Sequence, residues 1–137
     1  MTAPNILLFI ADGLRAQALA PDSEVVAPHV RALAMRGVQI ANAYTPLPTC
    51  SPARASLMTG LLPHNHGVLQ VEHVADPDQC VLRADRPHWA QRLKAAGYQT
   101  AYFGKWHIEW SLQLADFGWE IGQPLGQEAH RKSSEQG

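Results

Sequence analysis

The apolar positions of this chain fall into short runs that alternate between strand-like and helix-like spacing. Asn5 to Ile10 reads as a strand buried on both faces, because its apolar residues run without alternation and stop at Asp12-Gly13. Pro28 opens a helix that brings Val30, Leu33 and Ala34 to one face; Gly37 closes it, and a short strand is expected from Val38 to Ala43. Tyr44 to Thr49, with Pro46 and Pro48, reads as a loop. Leu62 to Asp85 is rich in Pro, His and Asp and has weak periodicity, which predicts a long surface excursion. Pro87 then begins a helix with Trp89, Ala90, Leu93 and Ala96 on one stripe, Gly97 ends it, and a strand from Gln99 to Phe103 runs into Gly104-Lys105-Trp106-His107. The order implies an α/β fold, a mixed or parallel sheet flanked by helices, over residues 1–125. Residues 126–137 are polar and read as a disordered tail.

Open α/β sheets bind ligands beyond the carboxyl ends of their strands. Asp12 follows the first strand, and Lys105 and His107 follow the last. Cys50 stands at the mouth of a helix reached from the second. That helix is expected to use Ser51 as N-cap, Pro52 as its first residue and Gly60 as its stop, with Arg54 one turn in. Its amide donors, its dipole and the Arg54 guanidinium favour an anion beside Cys50. Plainer roles are open to each group: a turn for Asp12, a solvated lysine, a histidine at the core edge, an inert thiol. His64-Asn65-His66 lacks a third ligand nearby and reads as loop rather than metal pair. Trp106, Trp110 and Trp119 read as packing residues. Two other anion-binding loops fail on spacing. A cysteine-phosphatase loop places its arginine further from the cysteine, where this chain has Ser56; a P-loop would need glycine at Gln99 and Ser or Thr at Trp106.

Composition narrows the function classes. The 137 residues carry a formal charge of −1 and are 46% hydrophobic, enough for one core and without the charge excess that drives nucleic-acid or membrane binding. The apolar run Ile6 to Ala11 has no basic leader and is too short to span a bilayer, so the expected location is the cytoplasm. Cys50 and Cys80 make a poor disulfide framework there, and pairing would block Cys50.

The segment Cys50-Ser51-Pro52-Ala53-Arg54 is a CxPxR motif. With PNILLFIADGLR before it, the surrounding PHVRALAMRGVQIANAYTPLPTCSPARASLMTGLLPHNHGV and the later WAQRLKAAGYQTAYFGKWH, it resembles the N-terminal part of the type I sulfatases of the alkaline phosphatase superfamily. The resemblance implies that Cys50 is converted to formylglycine by a transiently bound formylglycine-generating enzyme. Its hydrated aldehyde then attacks sulfur. It implies catalytic roles for Cys50, Arg54, Lys105 and His107, and a divalent metal held by Asp12 and by residue 50. Calcium is the family's usual ion, with manganese or magnesium as alternatives. The substrate class would be a sulfate ester of a small molecule or glycan. Two departures stand out. Gly13 replaces a second acid, and Arg15 is compatible with branches that cleave phosphonate or phosphate esters. Family enzymes are also several times longer, so the chain is expected to be an incomplete catalyst with open sheet edges that invite association. A non-catalytic anion- or partner-binding remnant is the remaining alternative.

Overall fold

The computed structural model describes residues 3–20, 22–71, 76, 78–83, 85–111 and 113–125. The expected tail, 126–137, lies outside them. The chain divides into two compact units, residues 1–43 and 44–137.

In the first unit a 3-10 turn at Ala16–Leu19 precedes helix α1, Pro28–Met35. Proline at the start of α1 costs no hydrogen bond, since the first amides of a helix have no intrahelical acceptor. The Arg31 guanidinium reaches back to the carbonyls of Ala20, Ser23 and Val25 at 3.2–3.4 Å, fastening the preceding loop to the helix. The two strands expected here, Asn5 to Ile10 and Val38 to Ala43, do not form. A strand exists only through its ladder, and neither run has a ladder partner among the described residues. Their side chains are accordingly exposed, Leu7 at 91% and Val38 at 90%.

The second unit holds the core. Helix α2 spans Cys50–Thr59 and ends at Gly60, whose left-handed φ of 71° lets its amide donate to Ser56 at 2.8 Å. A short helix α3, Pro63–His66, follows, and Val68 then bridges to Cys80 in antiparallel fashion. His66, Val68, Cys80 and Leu82 are buried, so the segment expected to be a surface excursion contributes four core residues. Weak periodicity concealed this, because these side chains enter the core from irregular backbone.

Helix α4, Trp89–Ala95, starts two residues after Pro87 because His88 caps it. The His88 Nδ1 accepts from the Ala90 amide at 3.4 Å, and the Gln91 side chain accepts from the His88 amide at 3.3 Å. Strand β1 is Ala101–Lys105, shifted two residues beyond the expected Gln99 to Phe103. It pairs in parallel with β2, Ile121–Leu125, in the register Ala101 to Ile121 through Lys105 to Leu125. The crossover between them passes through a 3-10 turn at Leu114–Phe117. The observed class is therefore α/β, with a two-stranded parallel sheet.

An aromatic box fills the core of this unit. Trp106 lies 5.3 Å from both Tyr102 and Phe117, and Trp119 lies 5.2 Å from Tyr102 and 4.9 Å from Trp89, mostly in edge-to-face contact. His88 sits among them, and burial pushes its pKa down to about 4. Trp106 and Trp119 are packing residues as expected; Trp110 is 55% exposed and is not.

Gly118 shows how closely the crossover is packed on α4. Its φ is 91°, and a Cβ there would lie 2.4 Å from the Gln91 amide nitrogen and 2.8 Å from the Ala90 carbonyl carbon. Gly97 has nearly the same φ, 87°, with open space around it. Gly97→Ala should cost about 1–2 kcal/mol for the left-handed backbone alone. Gly118→Ala should cost about 3 kcal/mol or more, because helix and crossover must also separate. Urea unfolding of the two variants measures the difference; equal losses would mean the crossover does not press on α4.

Candidate active site

Helix α2 begins at Cys50 itself, with Thr49 as an extended N-cap that makes no side-chain cap bond. Ser51 and Pro52 are thus the second and third helical residues, not cap and first residue as the sequence suggested, and both are buried. Pro52 still falls within the first turn, where its missing N–H breaks no bond. The shift puts the Cys50 side chain at the positive end of the helix. Cys50 is half-buried and unpaired by disulfide; Cys80 is buried and donates its thiol to the Ile108 carbonyl at 3.3 Å.

Arg54 lies one turn beyond Cys50, and residues four apart share a helix face. Its guanidinium donates to the Lys105 carbonyl at 2.8 Å, across a sequence gap of 51 residues. The Tyr102 hydroxyl donates to the same carbonyl oxygen. Burial raises the Tyr102 pKa, while the Arg54 charge and a side-chain hydrogen bond with Arg54 pull it back. Lys105 is the last residue of β1, half-buried rather than beyond the strand end as expected.

The backbone turns sharply beyond Lys105. Gly104 has a φ of 102°, and His107 has a φ of 49°, the only positive value at a non-glycine among the described residues. A left-handed histidine costs about 1–2 kcal/mol, a strain that collects at functional sites. Two residues on, the Glu109 carboxylate is buried and accepts the Ser111 amide at 3.1 Å. Burial raises its pKa, and the hydrogen bonds from Ser111 oppose the rise.

The other face of α2 is pinned by a buried pair. Ser56 Oγ and His66 Nε2 are 2.9 Å apart, and the Val68 amide donates to His66 Nδ1 at 3.1 Å. With Nδ1 accepting, Nε2 carries the proton and donates to Ser56, so His66 cannot act as a base toward that hydroxyl. The pair is structural. His64 is exposed, and the expected loop at 64–66 is a helical turn that buries its second histidine.

Of the residues picked out in the sequence, Cys50, Arg54, Lys105 and His107 belong to the second unit, and the Arg54 to Lys105 bond ties the helix that begins with Cys50 to the strand that leads to His107. Asp12 belongs to the first unit, in the Asp12-Gly13 turn. No group of three or more His, Cys, Asp or Glu poised to hold a metal occurs among the described residues. Tyr102, Ser56 and Glu109 were not singled out for a role in the sequence, and His66 was read there as part of a loop; a tyrosine within a strand offers a polar tip that needs a partner when buried.

A cysteine at a helix mouth, an arginine on the same face and a left-handed turn at His107 just beyond Lys105 make up the candidate site. A model of the sulfatase family matches residues 4–136, and the chain belongs to that family. It is 40% identical over 111 residues to an ulvan-active sulfatase of Formosa agariphila, covering 79% of this chain and 20% of that protein. It is 37% identical to a choline-sulfatase of Rhizobium meliloti over 85% of this chain and 24% of the relative. Against bovine arylsulfatase A the figures are 37%, 77% and 21%. The chain thus spans about a fifth to a quarter of the length of these relatives. The solved structure of Ps i-CgsB superimposes with a TM-score of 0.49 at 26% identity, covering 69% of this chain and 24% of that one.

The His66 pin generates a pH dependence. Burial, with a contribution from the nearby His64, lowers the His66 pKa to about 4, against about 6.5 in the unfolded chain. The native state favours neutral imidazole, so this stabilisation is fully present above pH 6.5 and drains away as pH falls toward 4. His88 acts in the same direction. The unfolding free energy should therefore rise with pH across this window by up to about 1.4 kcal/mol per pH unit for each histidine. His66→Asn should remove one such contribution from the slope, as followed by urea titrations at pH 5 and pH 7; an unchanged slope would place the His66 proton elsewhere.

Proposed function

We propose that the chain carries the nucleophile half of a sulfate-ester hydrolase whose working group is formylglycine, made from Cys50 by a formylglycine-generating enzyme that binds the chain transiently. The observation that carries this reading is the geometry of α2. Its first residue is the cysteine of a CxPxR motif, and its Arg54 is anchored to the end of the strand bearing Lys105. Once in place, the hydrated aldehyde supplies an attacking oxygen and, through its second hydroxyl, a route to release sulfate by C–O cleavage without hydrolysing the sulfate monoester.

The chain's own residues prepare the rest. The amide end of α2 and the Arg54 charge hold negative charge near residue 50. The Lys105 ammonium pairs with a sulfate oxygen as charge shifts toward the leaving group, and His107 moves protons to and from the diol and the departing alcohol. The strained His107 backbone holds this imidazole in one orientation.

Sulfatases as a family use a divalent metal as well as formylglycine. Asp12 is the residue of this chain suited to it, as a hard carboxylate oxygen donor. One carboxylate with Gly13 beside it falls well short of the six or more oxygens calcium takes, so the described donor set does not make the site, and no step is routed through a metal. Arg15 is compatible with a second reading, in which the same nucleophile attacks phosphorus in a phosphonate or phosphate ester.

Co-expression with a formylglycine-generating enzyme tests the proposal. Mass spectrometry of the tryptic peptide from Gly37 to Arg54 should show the Cys50 thiol replaced by an aldehyde, and an unmodified thiol would refute the enzyme reading. Assays of aryl sulfate and aryl phosphonate esters then divide the two chemistries. Cys50→Ala should lower whichever activity is present by at least about 10³-fold, and retained activity would mean that residue 50 is not the nucleophile.

A further inference from the structure

Resting on the reading of residue 50 as the nucleophile, we propose that Tyr102 is a positioning residue that fixes the Arg54 guanidinium beside it. The phenol and the guanidinium converge on one acceptor, the Lys105 carbonyl oxygen. Sharing one oxygen sets the two donors side by side in a three-cornered network. One corner is on α2, one turn from Cys50; the other two are on β1.

The three corners are unequally free. Tyr102 is 9% exposed, and its ring is wedged edge-on against Trp106 and Trp119, so its hydroxyl has one available position. The Lys105 carbonyl is held by the strand register. Arg54 ends a long flexible side chain, and a single bond to a carbonyl would let its planar fork swing about that bond. The phenol supplies the second fixed point. Stiffness thus passes from the aromatic box, through one hydroxyl, to the cation beside residue 50, and the same carbonyl anchors the backbone two residues before the strained His107. Neither role needs Tyr102 to touch substrate.

Tyr102→Phe keeps the ring and its packing and removes the hydroxyl. With the guanidinium of 15N-labelled protein observed by NMR, the native chain should show separate, slowly exchanging Nη signals for Arg54, identified by their loss in Arg54→Lys. In Tyr102→Phe they should coalesce. Native protein without resolved Arg54 signals, or a variant that retains them, overturns the proposal. In the formylglycine-bearing protein, Tyr102→Phe should lower kcat on an aryl sulfate about tenfold, with KM changed less than about twofold and formylglycine content unchanged. Equal kcat overturns the functional side of the proposal. If the native protein hydrolyses no sulfate ester, the proposed function fails, while the Arg54 signals still decide the role of Tyr102. Should Tyr102→Phe not fold, Arg54→Gln serves in its place. The Tyr102 phenol, followed by 13C NMR of labelled tyrosine, should then titrate at higher pH than in the native chain, and an unmoved titration overturns the coupling.

Discussion

A single carbonyl oxygen, that of Lys105, joins helix α2 to strand β1 in the second unit. It accepts from Arg54, on the helix that begins with Cys50, and from Tyr102, on the strand that ends with the lysine. A carbonyl has two lone pairs, and two donors satisfy both. A charged donor makes the stronger bond, and a buried acceptor makes it stronger still, because water cannot compete. Helix α2 and β1 share no ladder, so this bond is a direct tie between them, beside the Ser56–His66 pair on the other face of the helix. With the bond made, the distance from the helix mouth to the Lys105–His107 turn is set by covalent geometry on both sides.

The aromatic box explains why this bond can be relied upon. Trp106, Trp119, Phe117 and Tyr102 fill one volume, and the left-handed Gly118 lets the crossover lie directly on α4, which His88 caps from within the same cluster. Large rigid rings have few rotamers to lose, so they order the core at low entropic cost and leave the phenol no alternative site. The first unit presents the opposite case. None of its described residues is buried, and Leu7, Phe9, Val26, Met35 and Val38 are each more than four-fifths exposed. Exposed apolar segments of that kind gain stability only when another surface covers them.

Legibility in the sequence followed the range of the interaction. Local signals were read correctly: proline opening α1, glycine closing α2, the loop before Cys50 and the α/β order. The start of α2 was misplaced by two residues, because Ser51 and Pro52 carry strong first-turn preferences that fit a position deeper in the turn almost as well. The two early strands were misread for a different reason: an apolar run reports what a segment could bury, not whether a partner is there. His66 was invisible as a structural group because its donor and its acceptor, Val68 and Ser56 respectively, lie on separate elements. Cys50, Arg54, Lys105 and His107 could be singled out by motif; the Tyr102 hydroxyl, which shares the Lys105 carbonyl with Arg54, makes a contact that no spacing encodes.

The distribution of strain follows from this arrangement. The left-handed His107 backbone costs free energy that must come from elsewhere, and the residues on either side show where: Trp106 is fully buried in the aromatic box and Ile108 is fully buried beside the Cys80 thiol. Flanked by two such anchors, His107 cannot relax into the right-handed region without withdrawing one of them, which would cost more than the about 1–2 kcal/mol of strain it relieves. The imidazole orientation is thus set by apolar burial on both sides rather than by a hydrogen-bonded partner alone. An imidazole held in that way keeps its direction whether it is charged or neutral, because neither flanking anchor depends on its charge.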